Sequence, residues 1–131
     1  MQPDKPALIN WLQILAGLAV GEGELAARLP SAGAALITMV ATWMLGRAWL
    51  GGAGGLLAAC VLGTSPLFIA AARFANPDSM LTALVTATIA SHALGGRQGA
   101  WMLPAAAFSG MAMLAKGPVG LALPGAIIIA H

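Results

Sequence analysis

Eight of the chain's ten charged residues could act together on a charged substrate: Asp4, Lys5, Glu22, Glu24, Arg28, Arg73, Asp78 and Lys116. They are four bases and four acids in a sequence that otherwise avoids charge. The cations suit phosphate, which lysine meets as a point charge and arginine as a planar fork. The carboxylates suit proton transfer or oxygen ligation of a divalent ion. Each charge also has a plain structural reading. Asp78 follows Asn76-Pro77 at a predicted helix start, where the macrodipole favours an acid. Arg73 and Lys116 fall at predicted helix ends, where the dipole favours a base. Glu22 and Glu24 read as a solvated turn.

The elements that must position these residues are set by the gaps between them. The chain has 131 residues, 60% of them hydrophobic and 8% charged, with a mean hydropathy of +0.89. Soluble domains carry about 25% charged residues, so this is an integral membrane protein. Uncharged stretches run between Arg28 and Arg47, Arg47 and Arg73, Asp78 and Arg97, and Arg97 and Lys116. Each has a length suited to a helix crossing the bilayer, for which about 20 residues are needed. The sequence therefore predicts an all-α fold, a polytopic transmembrane helix bundle with about four full spans. Pro6–Gly21 carries Asn10 and Gln13 and reads as an interfacial or partly inserted helix, with Trp11 at headgroup level. Val119–Ala130 reads as part of a last helix.

Punctuation agrees with these spans. Pro30-Ser31 and Asn76-Pro77 suit helix starts. The glycine-rich stretch 51–55 is a tight connection, and Gly117-Pro118 closes a helix. Small residues throughout the spans suit close helix packing in lipid. Alternating spans put Arg47 and Arg97 on one side of the membrane and the other eight charges on the opposite side; a raw count of Lys and Arg would make the latter cytoplasmic, but its four bases and four acids resemble a binding site more than a topology signal. His92, near Arg97, reads as interfacial.

Several classes are excluded or disfavoured. The scattered bases form no stripe for nucleic acid. The lone Cys60 can form no internal disulfide. A transporter component would place ionisable groups near mid-span, whereas these lie at span ends. A small non-catalytic membrane protein stays open as an alternative.

Four stretches, "DKPALINWLQ" (4–13), "GELAARLPSA" (23–32), "TSPLFIAAARFANPDSMLT" (64–82) and "AMLAKGPVGLALPG" (112–125), occur in an order that resembles the ArnT/PMT-like membrane glycosyltransferases of the GT-C fold. That family includes aminoarabinose transferases acting on lipid A and dolichyl-phosphate-mannose protein mannosyltransferases. The resemblance implies transfer of a sugar from a polyprenyl-phosphate donor to a lipid or protein acceptor. It implies a place in the bacterial inner membrane, with Asp4, Lys5, Arg73, Asp78 and Lys116 on the periplasmic side. Lys5 maps onto the lysine expected to contact the lipid phosphate, with Asp4 in place of the more usual glutamate. Asp78 maps onto a second acidic site tied to a metal or to acceptor positioning, so a divalent ion at Asp4 and Asp78 is allowed. Arg73 and Lys116 fall where bases could neutralise donor phosphate, and Arg28 is expected to be structural. The family's catalytic acid, the expected general base, and a first transmembrane helix are both expected upstream of Met1. Residues 1–131 are thus expected to be a fragment of a single GT-C-type domain, inactive alone.

Overall fold

The computed structural model describes residues 7–21, 23–74, 77–95 and 102–130. Six helices follow one another: α1 (Ala7–Val20), α2 (Glu24–Thr64), α3 (Pro66–Arg73), α4 (Pro77–Gly95), α5 (Met102–Lys116) and α6 (Val119–Ala130). The described residues contain no strand. In lipid a helix satisfies all its own backbone groups, so an all-helical chain is what this composition allows.

α2 is a hairpin. Its helical path breaks at Gly51, which has φ 80° and ψ 177°, a conformation open to glycine at little cost. The arm 24–50 rises to this turn and the arm 52–64 returns beside it. The two arms nearly touch. A Cβ on Gly55 would stand 2.6 Å from the Arg47 nitrogen and 2.6 Å from the Trp43 carbonyl oxygen. One on Gly46 would stand 2.8 Å from the Gly55 Cα. The glycine-rich connection is therefore a packed corner as well as a turn.

The return path is interrupted at Ser65, where the backbone leaves helical geometry before Pro66 opens α3. Proline disfavours helical conformation in the residue before it and is accommodated at a first helical position. The single span expected between Arg47 and Arg73 is thus the second arm of α2 plus α3. Together they cover roughly 33 Å at about 1.5 Å per residue, enough for the hydrocarbon thickness.

The start of α2 departs from expectation. Pro30-Ser31 does not open it; the helix begins at Glu24, with Pro30 inside. Pro30 is the seventh residue, beyond the first turn, so the helix runs through it without the hydrogen bond to the Ala26 carbonyl, a loss that helices in membrane bundles accommodate. The earlier start adds more than a turn of helix, bringing Glu24 and Arg28 onto one face.

α4 is the central helix, packed against α2, α5 and α6. Its buried face is Ala83, Leu84, Ala87, Thr88, Ala90 and Ser91. Alanines from neighbouring helices meet it: Ala41 beside Ala87 and Ala90, and Ala112 and Ala115 beside Leu84. Small side chains let the helices approach closely, which is how helices associate where lipid removes the hydrophobic drive. Threonine hydroxyls turn back onto their own helices, as in Thr88 Oγ1 to the Leu84 carbonyl and Thr38 Oγ1 to the Ala34 carbonyl, both 2.8 Å. Such bonds satisfy hydroxyls without a partner helix.

By length and composition, α2 is the one helix among the described residues long and apolar enough to cross a membrane. α4 has the length of a span but carries an acid and a histidine. α1, α5 and α6 are shorter apolar helices. α1 buries Ile9 against the bundle and leaves Trp11 exposed, which fits an interfacial helix.

Candidate functional site

Asp78 lies in the first turn of α4 and Lys116 in the last turn of α5. α4 and α5 pack side by side, and the start of one meets the end of the other. Each end suits its charge: the partial positive N-terminus favours the carboxylate and the partial negative C-terminus favours the ammonium. Gly117, with φ +79°, then turns the chain sharply away into α6. Its N–H donates to the Met113 carbonyl oxygen at 2.7 Å, which closes α5 just past Lys116.

The result is an ion pair between Lys116 Nζ and Asp78 Oδ1, formed by residues 38 apart in sequence. The side chains are 46% and 53% exposed. Exposed pairs contribute about 0.2–1 kcal/mol, so this one is too weak to be explained by stability and weak enough for an incoming anion to compete. Asp78 also lines a hollow of about 110 Å³ with Ala71, Ala72, Ser79 and Thr82.

α3 sorts the remaining bases. Phe68, Ala71 and Ala72 face the Asp78 hollow. Pro66, Ile69, Ala70 and Arg73 recur at spacings of three and four and face a different cavity, shared with Arg28. Arg73 is therefore at the same end of the bundle as Asp78 and Lys116 but on the other side of α3. Arg28 donates from its guanidinium to Glu24 Oε1, an i, i+4 pair. The spacing of Glu24 and Arg28 could have signalled this contact, had the helix start been placed before Pro30. At the far end of the hairpin Arg47 stands over the Trp43 ring, 5.5 Å from its centroid.

Met1, Asp4, Lys5, Glu22, Asn76 and Arg97 lie outside the described residues. A divalent ion finds little support among the described residues: no three His, Cys, Asp or Glu side chains come together there. Asp78 offers one carboxylate, already engaged by Lys116. Asp4, the other residue expected to hold a divalent ion, lies outside the described residues.

Comparison with known proteins accords with this geometry. The family model described as dolichyl-phosphate-mannose-protein mannosyltransferase matches residues 4–131. An uncharacterised protein of Aquifex aeolicus is 30% identical over 129 residues, 95% of this chain and 26% of that protein. The Bacillus subtilis protein named "Putative mannosyltransferase YycA" is 29% identical over 115 residues, 86% of this chain and 17% of its own. Among solved structures, ArnT from Cupriavidus metallidurans, crystallised bound to undecaprenyl phosphate, superposes with a TM-score of 0.89 at 29% identity. That match covers 97% of this chain and 25% of ArnT. The chain thus spans about a quarter or less of the length of these relatives, and its all-α architecture is that of the ArnT membrane GT-C fold.

Proposed function

Because the chain belongs to the dolichyl-phosphate-mannose-protein mannosyltransferase family, whose model covers residues 4–131, we propose that it forms the donor-phosphate end of a membrane glycosyltransferase. The enzyme moves a sugar from a polyprenyl-phosphate carrier to a lipid or protein acceptor. It resides in the bacterial inner membrane, with Asp4, Lys5, Arg73, Asp78 and Lys116 toward the periplasm. The observation that carries this reading is the Asp78–Lys116 pair, an exposed ammonium held at a helix end in a bundle otherwise poor in charge.

In the reaction an acceptor hydroxyl attacks the anomeric carbon of the donor sugar. The bond from that carbon to the phosphate oxygen breaks, and its electron pair leaves with polyprenyl phosphate. The acceptor proton passes to a general base. The donor is a phosphodiester with one negative charge; the product monoester carries about 1.5 to 2. Charge on the phosphate therefore grows as the bond breaks. A fixed ammonium stabilises the transition state more than the bound donor, which is the condition for raising kcat. Lys5 and Lys116 fill this role. Asp78 holds Lys116 in place and acts as a positioning residue. Arg73, also expected to neutralise donor phosphate, borders a different cavity from the one beside Asp78, so Lys5 and Lys116 carry the donor reading.

The test is a transfer assay in nanodiscs with a whole enzyme that contains residues 1–131, and a polyprenyl-phosphate sugar labelled in both halves. Sugar label is expected on the acceptor, with free polyprenyl phosphate released in equal amount. Label that stays on the donor, or polyprenyl phosphate released without sugar reaching the supplied acceptor, overturns the reading.

A further inference from the structure

Arg28 and Arg73 open onto one cavity of about 560 Å³, whose other walls are Pro66, Ile69, Ala70 and Phe74. Two cations thus converge from different helices, the first arm of α2 and the end of α3. Arg28 is partly neutralised by Glu24 in an exposed pair, and such pairs hold weakly. The Arg73 guanidinium has neither a hydrogen bond nor an ion pair to any described residue. Phe74 is 67% exposed and Ile69 41% exposed, so the arginines stand over an apolar wall.

We propose that this cavity is a second anion site, which binds the phosphoryl headgroup of a membrane lipid. Guanidinium forks match phosphate oxygens in pairs and are less strongly hydrated than ammonium, which suits them to a partly apolar setting. The apolar wall accounts for the rest of the ligand: a free phosphate ion gains nothing from Ile69 and Phe74, whereas the first methylenes of a lipid chain are buried by them. The position fits as well. Arg73 ends α3, and Arg28 lies in the second turn of α2, at the end of the hairpin remote from the Gly51 turn, where a span meets the headgroup layer.

α3 stands between this cavity and the Asp78 hollow. A lipid phosphate at the arginines and a different phosphate beside Lys116 could be held at the same time. The site does not depend on the transfer reading, because lipid binding is measured without any sugar.

The experiment titrates the detergent-solubilised protein with three probes: dihexanoyl phosphatidic acid, inorganic phosphate and dihexanoylglycerol. Phosphatidic acid is expected to bind, inorganic phosphate at least roughly tenfold more weakly, and dihexanoylglycerol not measurably. Arg28→Gln and Arg73→Gln are each expected to raise the Kd for phosphatidic acid roughly tenfold, the effect of losing one charge-assisted hydrogen bond. Arg28→Lys and Arg73→Lys, which keep charge and bulk, should fall between wild type and the glutamine variants and serve if the latter fail to fold. Arg47→Gln, at the opposite end of the hairpin, should leave the Kd unchanged. The proposal is overturned if the double glutamine variant binds phosphatidic acid like Arg47→Gln. It is overturned equally if inorganic phosphate binds as tightly as phosphatidic acid, which would make this a free-anion site.

Discussion

Lys116→Ala is expected to slow sugar transfer by roughly 10²–10³-fold, the usual cost of removing one fixed group that stabilises developing charge. Lys5→Ala is expected to do the same. The loss should fall mainly on kcat, because the ammonium meets more negative charge on the departing phosphate than on the bound donor. Asp78→Asn is expected to be nearly as damaging, for a different reason. Its carboxylate is engaged by Lys116 across the α4–α5 contact, and without it the flexible ammonium loses its fixed position. The double variant Lys116→Ala/Asp78→Asn therefore distinguishes positioning from an independent role. Residues that act through one another are not additive, so the double variant should be no slower than the slower single one. Multiplicative losses would show that Asp78 acts directly on acceptor or proton, and transfer near wild-type levels in either lysine variant would remove the assignment.

The second large effect is structural. Gly55→Ala and Gly33→Ala are the same substitution in the same helix and are expected to differ in sign. A Cβ on Gly55 would meet backbone atoms of Arg47 and Trp43 at 2.6 Å, and neither can swing aside as a side chain can. The arms of the hairpin must separate, and overpacking of this kind costs about 1–3 kcal/mol. A fall in Tm of roughly 5–15 °C is expected. Gly33 lies inside α2 with nothing within 4 Å of its Cβ position. Alanine there improves helix propensity by up to about 1 kcal/mol and should leave Tm unchanged or raise it. Thermal unfolding monitored by size-exclusion of the detergent-solubilised variants decides the matter. Equal Tm values for Gly55→Ala and wild type would mean that the arms are not packed at this corner.

Several of these features could be read from the residues alone. The gaps between charges gave the order and approximate extent of the helices, because a charge within lipid is costly and marks an end. The breaks at Gly51 and Gly117 were legible from the glycine-rich run 51–55 and from Gly117-Pro118, and both glycines adopt positive φ. What charge spacing does not carry is rotational phase. Arg73 and Asp78 are five residues apart in sequence, yet α3 turns Arg73 to one side and the Asp78 hollow lies on the other. The periodicity of 66, 69, 70 and 73 holds that information, but only once α3 is known to start at Pro66. The break at Ser65 was hidden because an apolar run of suitable length reads as one span. Pro30 misled in the opposite direction, as proline marks a helix start in many sequences and here lies within the opening turns of α2. The pairing of Asp78 with Lys116 needed the tertiary structure, since nothing local connects residues 38 apart.

The charged end of this bundle is proposed to hold a lipid-linked phosphate through Lys5 and Lys116. The most direct test of that proposal compares binding of polyprenyl phosphate with binding of the corresponding polyprenol, which has the same chain and no phosphate. Polyprenyl phosphate should bind at least roughly tenfold more tightly, and in an Arg28→Gln/Arg73→Gln background, which silences the second phosphate site, Lys5→Ala/Lys116→Ala should remove that preference while leaving polyprenol binding unchanged. Equal affinity for the two lipids, or a phosphate preference that survives loss of both lysines, would contradict it.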